Sequence, residues 1–189
     1  MLKDLIARTR SYRRFHQDAA VTVETLRSLV ALARLSASGA NRQPLKFLLV
    51  AEPARNARVF PCLRWAGYLE DWPGPEEGER PAAYIVILGD TEVHKAFGVD
   101  HGIAAQSMML GAAEQGLGGC ILASIDRSTL RDVLEIPERY KILLVLALGS
   151  PAETVVVDPV DASGSIKYWR DAEGTHHVPK RSLEELILR

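Results

Sequence analysis

The chain has 189 residues, 47% of them hydrophobic and 25% charged, with a formal net charge of -1. That is enough chain for one domain with a sizeable core, and the charge balance excludes a general nucleic-acid binder, which carries a strong basic excess. Two cysteines, Cys62 and Cys120, make no disulfide framework, and no apolar run approaches the roughly 20 residues needed to span a bilayer.

In chain order, Leu2 to Arg8 reads as a short amphipathic helix. The opening Met1 to Ile6 lacks the long apolar core and small-residue cleavage site of a signal peptide, so a cytoplasmic location is expected. A basic run follows, Arg10-Ser11-Tyr12-Arg13-Arg14-Phe15, which places three arginines, a hydroxyl and two aromatics in six residues. Arginine keeps its charge and offers five donors on a rigid plane, which suits a phosphate or a planar anion. A second helix starts after Thr22, a good N-cap, with Leu26, Leu29, Val30 and Ala33 on one face. It stops at Ser36-Ala37-Ser38-Gly39-Ala40-Asn41, a run of small turn-forming residues. Phe47 to Val50 reads as a buried strand and Ala54 to Phe60 as a helix.

The segment 62–81 is irregular, with three prolines, an acidic patch and the aromatics Trp65, Tyr68 and Trp72. Its aromatics need a surface to pack on, so a lid or site-covering loop is expected. Tyr84 to Leu88 is apolar on both faces, hence a central strand. The helix expected from Val99 to Gln115 is apolar nearly all round and rich in small residues, so it belongs in the core or a subunit interface. Glycines 116, 118 and 119 end it. Cys120 to Leu122 and Ile142 to Leu148 read as strands and Ser128 to Glu135 as a helix. The tail from Pro151 reads as polar and mostly irregular, closing on an apolar alternation or helical turn at Leu183 to Leu188. Interspersed helices and strands predict an α/β sandwich, a sheet of four or five strands flanked by helices.

Most catalytic constellations are missing. There is no phosphate-binding Gly-x-x-x-x-Gly-Lys loop, and Gly116-Leu117-Gly118-Gly119 follows a helix and precedes a strand, the reverse of a dinucleotide fingerprint. Neither His94, Asp100 and His101 nor His176-His177 has the spacing of a known metal site, so no metal is expected. No serine elbow and no carboxylate pair suited to hydrolysis is present. A cofactor would therefore carry any reaction.

Several separated segments together resemble the nitroreductase family of FMN-dependent flavoproteins. Arg10-Ser11-Tyr12-Arg13-Arg14-Phe15 is similar to its N-terminal Arg-Arg-Ser-x-Arg-x-Phe, and Ser36-Ala37-Ser38-Gly39-Ala40-Asn41-Arg42-Gln43-Pro44 to its Ala-Pro-Ser-x-x-Asn-x-Gln-Pro-Trp. Gly116-Leu117-Gly118-Gly119-Cys120 resembles Gly-Leu-Gly-Thr-Cys-Trp, Gly149-Ser150-Pro151 resembles Gly-Tyr-Pro, and Pro179-Lys180-Arg181-Ser182-Leu183-Glu184-Glu185 resembles Arg-Lys-Pro-Leu-Glu-Glu. The chain departs from the pattern at Thr9, Ala37, Leu45, Ile121 and Ser182.

The resemblance implies an α+β fold with a mostly antiparallel central sheet, one domain over 1–189, and a homodimer with FMN at the interface and the tail 151–189 wrapped around the partner. It implies that Arg10 and Ser11 bind phosphate and ribityl oxygens, closed by Lys180, Arg181 or both, and that Arg13 lies near the redox-active ring. Ser38, Asn41 and Gln43 would contact ribityl and ring from the same or the other subunit, with Ala123 and Ser124 near the ring's N5. Trp65, Tyr68 and Trp72 are candidates for the substrate-side wall, and Arg14 is left to solvent. The implied activity is NADH- or NADPH-driven reduction of a small electron-poor acceptor, a nitroaromatic or quinone. Flavin fragmentation, reductive dehalogenation and flavin storage are the alternatives.

Overall fold

A computed structural model describes residues 2–188, so Met1 and Arg189, the ends of the expected domain, lie outside the described residues. Helix α1 spans Leu2–Arg8 and strand β1 Phe15–His16. Helix α2 (Val23–Leu35) begins where expected: Thr22 Oγ1 accepts the Thr25 N–H at 3.1 Å, and Leu26, Leu29 and Ala33 are buried. Strand β2 (Leu45–Val50), helix α3 (Pro53–Val59) and strand β3 (Ala83–Asp90) follow, then helix α4 (Asp100–Glu114), strand β4 (Gly118–Leu122), helix α5 (Arg127–Leu134) and strand β5 (Tyr140–Pro151).

These strands form one antiparallel sheet in the order β1-β5-β3-β2, with β4 also paired to β5. β3 is buried at every position, as an uninterrupted apolar run requires of a central strand. Its side chains alternate between two cores. Tyr84, Val86 and Leu88 pack with Val145, Ala147 and the α3 and α5 residues Val59, Leu130 and Leu134. Ile85 and Ile87 pack with Leu146, Leu148 and the α2 and α4 residues Leu26, Leu29 and Met108. The sheet is thus covered on both faces. α4 is in the core through Ala104, Ala105, Met108, Met109 and Ala112, while Ile103 and the preceding Val99 face outward.

The tail carries a second sheet not expected from the sequence: β6 (Val155–Pro159), β7 (Trp169–Arg170) and β8 (His176–Lys180) pair in the order β6-β8-β7, and a short helix α6 (Leu183–Leu186) follows. The run Thr154-Val155-Val156-Val157 signals β6, whereas the β-formers of β7 and β8 are scattered among polar residues. The fully buried His176 donates its backbone N–H to Thr154 O at 2.8 Å, and Arg170 pairs with Glu153 at 2.9 Å, holding this part of the tail on its own domain. Beyond it, Leu183, Leu186, Ile187 and Leu188 are exposed.

The glycine motif acquires a physical reason. Tyr12 donates its backbone N–H to Gly119 O at 2.9 Å, and Ser11 forms a parallel bridge to Gly119. A Cβ at Gly118 would stand 2.7 Å from Pro151 Cγ and Tyr12 Cδ2, and one at Gly119 would stand 2.7 Å from the carbonyl oxygen of Ala147. The basic segment can therefore lie flush on β4 only where β4 carries no side chain. Gly119→Ala is expected to lower stability by about 1–3 kcal/mol through this backbone clash, read as a fall in the urea midpoint with an unchanged slope.

Candidate functional site

The basic segment, β4, α4 and β8 enclose a cavity of about 290 Å³ bordered by Arg10, Ser11, Arg13, Gln106, Ile121, Tyr168, His176 and Lys180. Three cations line it and no carboxylate does. Arg13 is its most constrained member. The side chain is buried, Nη1 donates to His176 Nε2 at 3.0 Å and to Ser11 O at 3.3 Å, and the guanidinium lies 4.8 Å over the Tyr168 ring. Because Nε2 accepts from an arginine, His176 is the neutral tautomer with its proton on Nδ1. Burial, then the charges of Arg13 and Arg170, push its pKa down to about 4.

Glu153, in the link between β5 and β6, fixes the backbone of this segment. Its buried carboxylate accepts the N–H of Arg13 and that of Arg14, the latter at 3.1 Å, and also Arg170 Nη2. Arg14, expected in solvent, instead makes a two-point ion pair with Glu79, donating from Nε at 2.6 Å and from Nη2. It acts as a clamp between the basic segment and the 62–81 loop.

Of the other residues singled out, Ser38 and Gln43 border a second cavity with Asp100 and Ala104. The loop carrying them is held in the left-handed region at Ala40, Asn41 and Gln43, with φ of 49°, 54° and 50°, a conformation that costs non-glycine residues on the order of 1 kcal/mol each. Asp100 at the start of α4 compensates, its carboxylate accepting Ser38 Oγ at 2.6 Å and Gly39 N–H at 3.0 Å. Ser38 Oγ in turn accepts the Gln43 N–H, and Gln43 Nε2 donates to Asn41 Oδ1. Ala123 and Ser124 are exposed just past β4, their carbonyls accepting from Arg127 and from the Arg64 N–H. Lys180 reaches the first cavity, whereas Arg181 is exposed and pairs with Glu185 at 3.6 Å.

The three candidate wall aromatics each pack on a different neighbour. Trp65 belongs to the core, stacked on Phe60 with centroids 5.8 Å apart. Trp72 lies under Arg170 at 4.2 Å, and Tyr68 packs on Tyr168 at 4.9 Å. The tail's β7 and Tyr168 thus dock on the 62–81 loop. Glu153, Tyr168, His176 and Asp100 were missed from sequence. The first two carry no motif, Asp100 was weighed only as a metal ligand, and His176-His177 invited the same reading. The strand instead splits that pair, with His176 facing Arg13 and His177 held between Asp158 and Asp171, which raise its pKa.

Helices on both faces of an antiparallel sheet define an α+β protein, with a carboxylate-free cationic cavity at the edge of β4. The nitroreductase family profile matches residues 6–150. The chain belongs to the nitroreductase family. It is 26% identical over 166 residues to the FMN reductase (NADPH) of Bacillus subtilis, spanning 79% of this chain and 65% of that protein's length. In structure it is similar to a nitroreductase family protein from Streptococcus pneumoniae (TM-score 0.72, 19% identity, all of both chains). It is also similar to an FMN-dependent nitroreductase from Clostridium difficile (TM-score 0.65, 23% identity, 79% of this chain and 87% of that one). Among the described residues no helix is long and apolar enough to cross a membrane, and no metal-binding cluster of His, Cys, Asp and Glu is present.

Donation from Ser38 and from Gly39 N–H, opposed by burial, holds the Asp100 carboxyl below its usual range. A depressed folded pKa contributes stability above the unfolded value of about 4 and loses it as pH falls through the folded one. Asp100→Asn should therefore be less stable than the parent by about 1–3 kcal/mol at pH 7, with the gap closing as pH drops below about 4, measured by denaturation across pH.

Proposed function

We propose that this chain is an FMN-dependent oxidoreductase that takes electrons from NADH or NADPH and passes them to a small electron-poor acceptor of nitroaromatic or quinone type. The observation that carries this reading is the cavity of Arg10, Arg13 and Lys180 without a carboxylate, in which Arg10 Nε, Arg13 Nε and His176 Nδ1 are buried and unpartnered. Each orphaned donor costs about 1–3 kcal/mol unless an acceptor arrives, and a phosphorylated, carbonyl-rich flavin carries acceptors at both ends. The residues fit the group. Family membership and the names of the Bacillus and Clostridium relatives support the same cofactor.

When bound, FMN supplies hydride acceptance and donation, chemistry no side chain here offers. Arg10, Ser11 and Lys180 would hold its phosphate and ribityl oxygens through charge-assisted hydrogen bonds. Arg13, backed by a neutral His176 and the Tyr168 ring, presents a cation that cannot swing away and stabilises negative charge gathered on reduction. Ser38 and Gln43 border a different cavity of the same chain, with Asn41 hydrogen-bonded to Gln43, so these residues reach the cofactor from a second copy. The site is shared across a homodimer, which the outward-facing Val99 and Ile103 help to bury.

The purified protein should be yellow, with an absorbance spectrum that bleaches under anaerobic NADPH or NADH; a colourless protein that takes up no FMN refutes the reading. Arg13→Ala should lower the reduction potential of the bound flavin by roughly 30–60 mV, the equivalent of about 1.4–3 kcal/mol for a two-electron couple, by spectroelectrochemistry. Mixing flavin-deficient Arg10→Ala and Gln43→Ala proteins with subunit exchange should restore about a quarter of the flavin sites, because a mixed dimer regroups both intact halves at one interface. No restoration would place both halves in one subunit.

A further inference from the structure

On the other face of the sheet from α2 and α4, a third cavity of about 300 Å³ opens between α3, the start of β3, and residues 17–20 and 77–82. It shares no lining residue with the flavin cavity. Its wall holds three polar atoms that are buried and unpartnered: Tyr84 OH, Asn56 Oδ1 and Arg80 Nε. Tyr84 is fully buried and Asn56 is 9% exposed.

These atoms do not ask for the same thing. Arg80 stacks 4.5 Å over the Phe60 ring and has no ion-pair partner among the described residues, so its guanidinium edge is a free donor. Tyr84 is close enough to feel the Arg80 charge, and burial keeps its phenol protonated, a second donor. Asn56 has committed Nδ2 to Ala82 O at 2.6 Å, so its remaining Oδ1 is an acceptor. Asp18 and Glu77 line the same cavity, are exposed, and make no ion pair among the described residues. Two donors beside a cation call for a carboxylate, and one buried acceptor with two acids at the rim calls for an ammonium. Phe60, Ala51 and Ala57 leave an apolar wall for a short side chain.

We propose that this cavity binds a small free α-amino acid, carboxylate to Arg80 and Tyr84, ammonium to Asn56 and the acidic rim. The cavity offers both signs of charge, as recognition of a zwitterion requires. The volume is at the lower end of small-molecule sites, which suits an amino acid.

Isothermal titration of the protein as isolated tests this with L-alanine, L-valine and other common amino acids, isovalerate (no ammonium) and isobutylamine (no carboxylate). Saturable binding of at least one amino acid is expected, with either analogue at least about tenfold weaker. Tyr84→Phe and Arg80→Gln should each weaken that binding about tenfold or more, with flavin content unchanged. Tyr84→Phe removes only an unpartnered hydroxyl and should fold with equal or higher stability; Arg80→Gln alters a partly exposed side chain with no side-chain hydrogen bond among the described residues, so it serves if the first variant misfolds. The proposal is overturned if no amino acid binds at millimolar concentration, if isovalerate binds as well as valine, or if neither variant changes the affinity. None of these outcomes bears on the flavin reading.

Discussion

One buried carboxylate ties the functional end of this molecule together. Glu153 is almost fully buried, yet it accepts two consecutive backbone N–H groups, those of Arg13 and Arg14, and the guanidinium of Arg170. A charge removed from water is tolerable only when its lone pairs are filled, and here three donors from two distant parts of the chain fill them. The consequence is positional. The backbone of the basic segment is fixed from behind, so Arg13 has little freedom except toward its cavity. The same carboxylate recruits β7, and Arg170 carries the link onward to Trp72 in the 62–81 loop.

Burying Arg13 beside another basic residue looks unfavourable until the protonation state of that residue is considered. His176 relieves the conflict by staying neutral, and the Tyr168 ring offers its electron-rich face to the same guanidinium. The adjacent histidine does the opposite. His177 lies 4.0 Å from the Trp169 ring in a parallel stack and is gripped by two aspartates that favour its charged form. Two neighbouring residues of one strand, facing opposite sides, thus stabilise the tail by opposite electrostatics. His176 joins it to the site and His177 joins its own three strands to one another.

Much of the fold was legible because its signals are local. The uninterrupted apolar run of β3, the Thr22 cap and the small-residue helix α4 each declare their structure within a few residues. The N-terminal and glycine motifs were legible as a site only through resemblance, and the structure supplies the reason they travel together: Gly118 clears the space that the Tyr12 ring occupies, and Gly119 O accepts the Tyr12 N–H. What sequence could not show depends on contacts between remote segments. Arg14 looked solvated because Glu79 lies 65 positions away. Trp65 looked like a pocket wall because an aromatic in a proline-rich loop gives no sign of which side it packs on; Gly74, with φ of 120°, comes so close that any Cβ there would strike the Trp65 ring. The second sheet escaped notice because its pairing is set by β8, whose partners are the separated β6 and β7.

The Arg13 and Arg80 cavities are separate in lining but share a hydrogen-bonded support. Gln17 accepts the N–H groups of Gly78 and Arg80 through one side-chain oxygen, and Phe15 donates its backbone N–H to Glu79 O. Residues 78–80 therefore run as a strap beside residues 14–17, clamped at its middle by the Arg14–Glu79 ion pair. Arg80, at one end of the strap, faces its own cavity, and Arg13 precedes the clamp on the side of the cationic cavity. Displacing residue 79 would break short charge-assisted hydrogen bonds from Arg14 in a half-buried setting. The molecule thus places two unlike cavities, one cationic and one mixed in charge, at opposite ends of a single hydrogen-bonded connection.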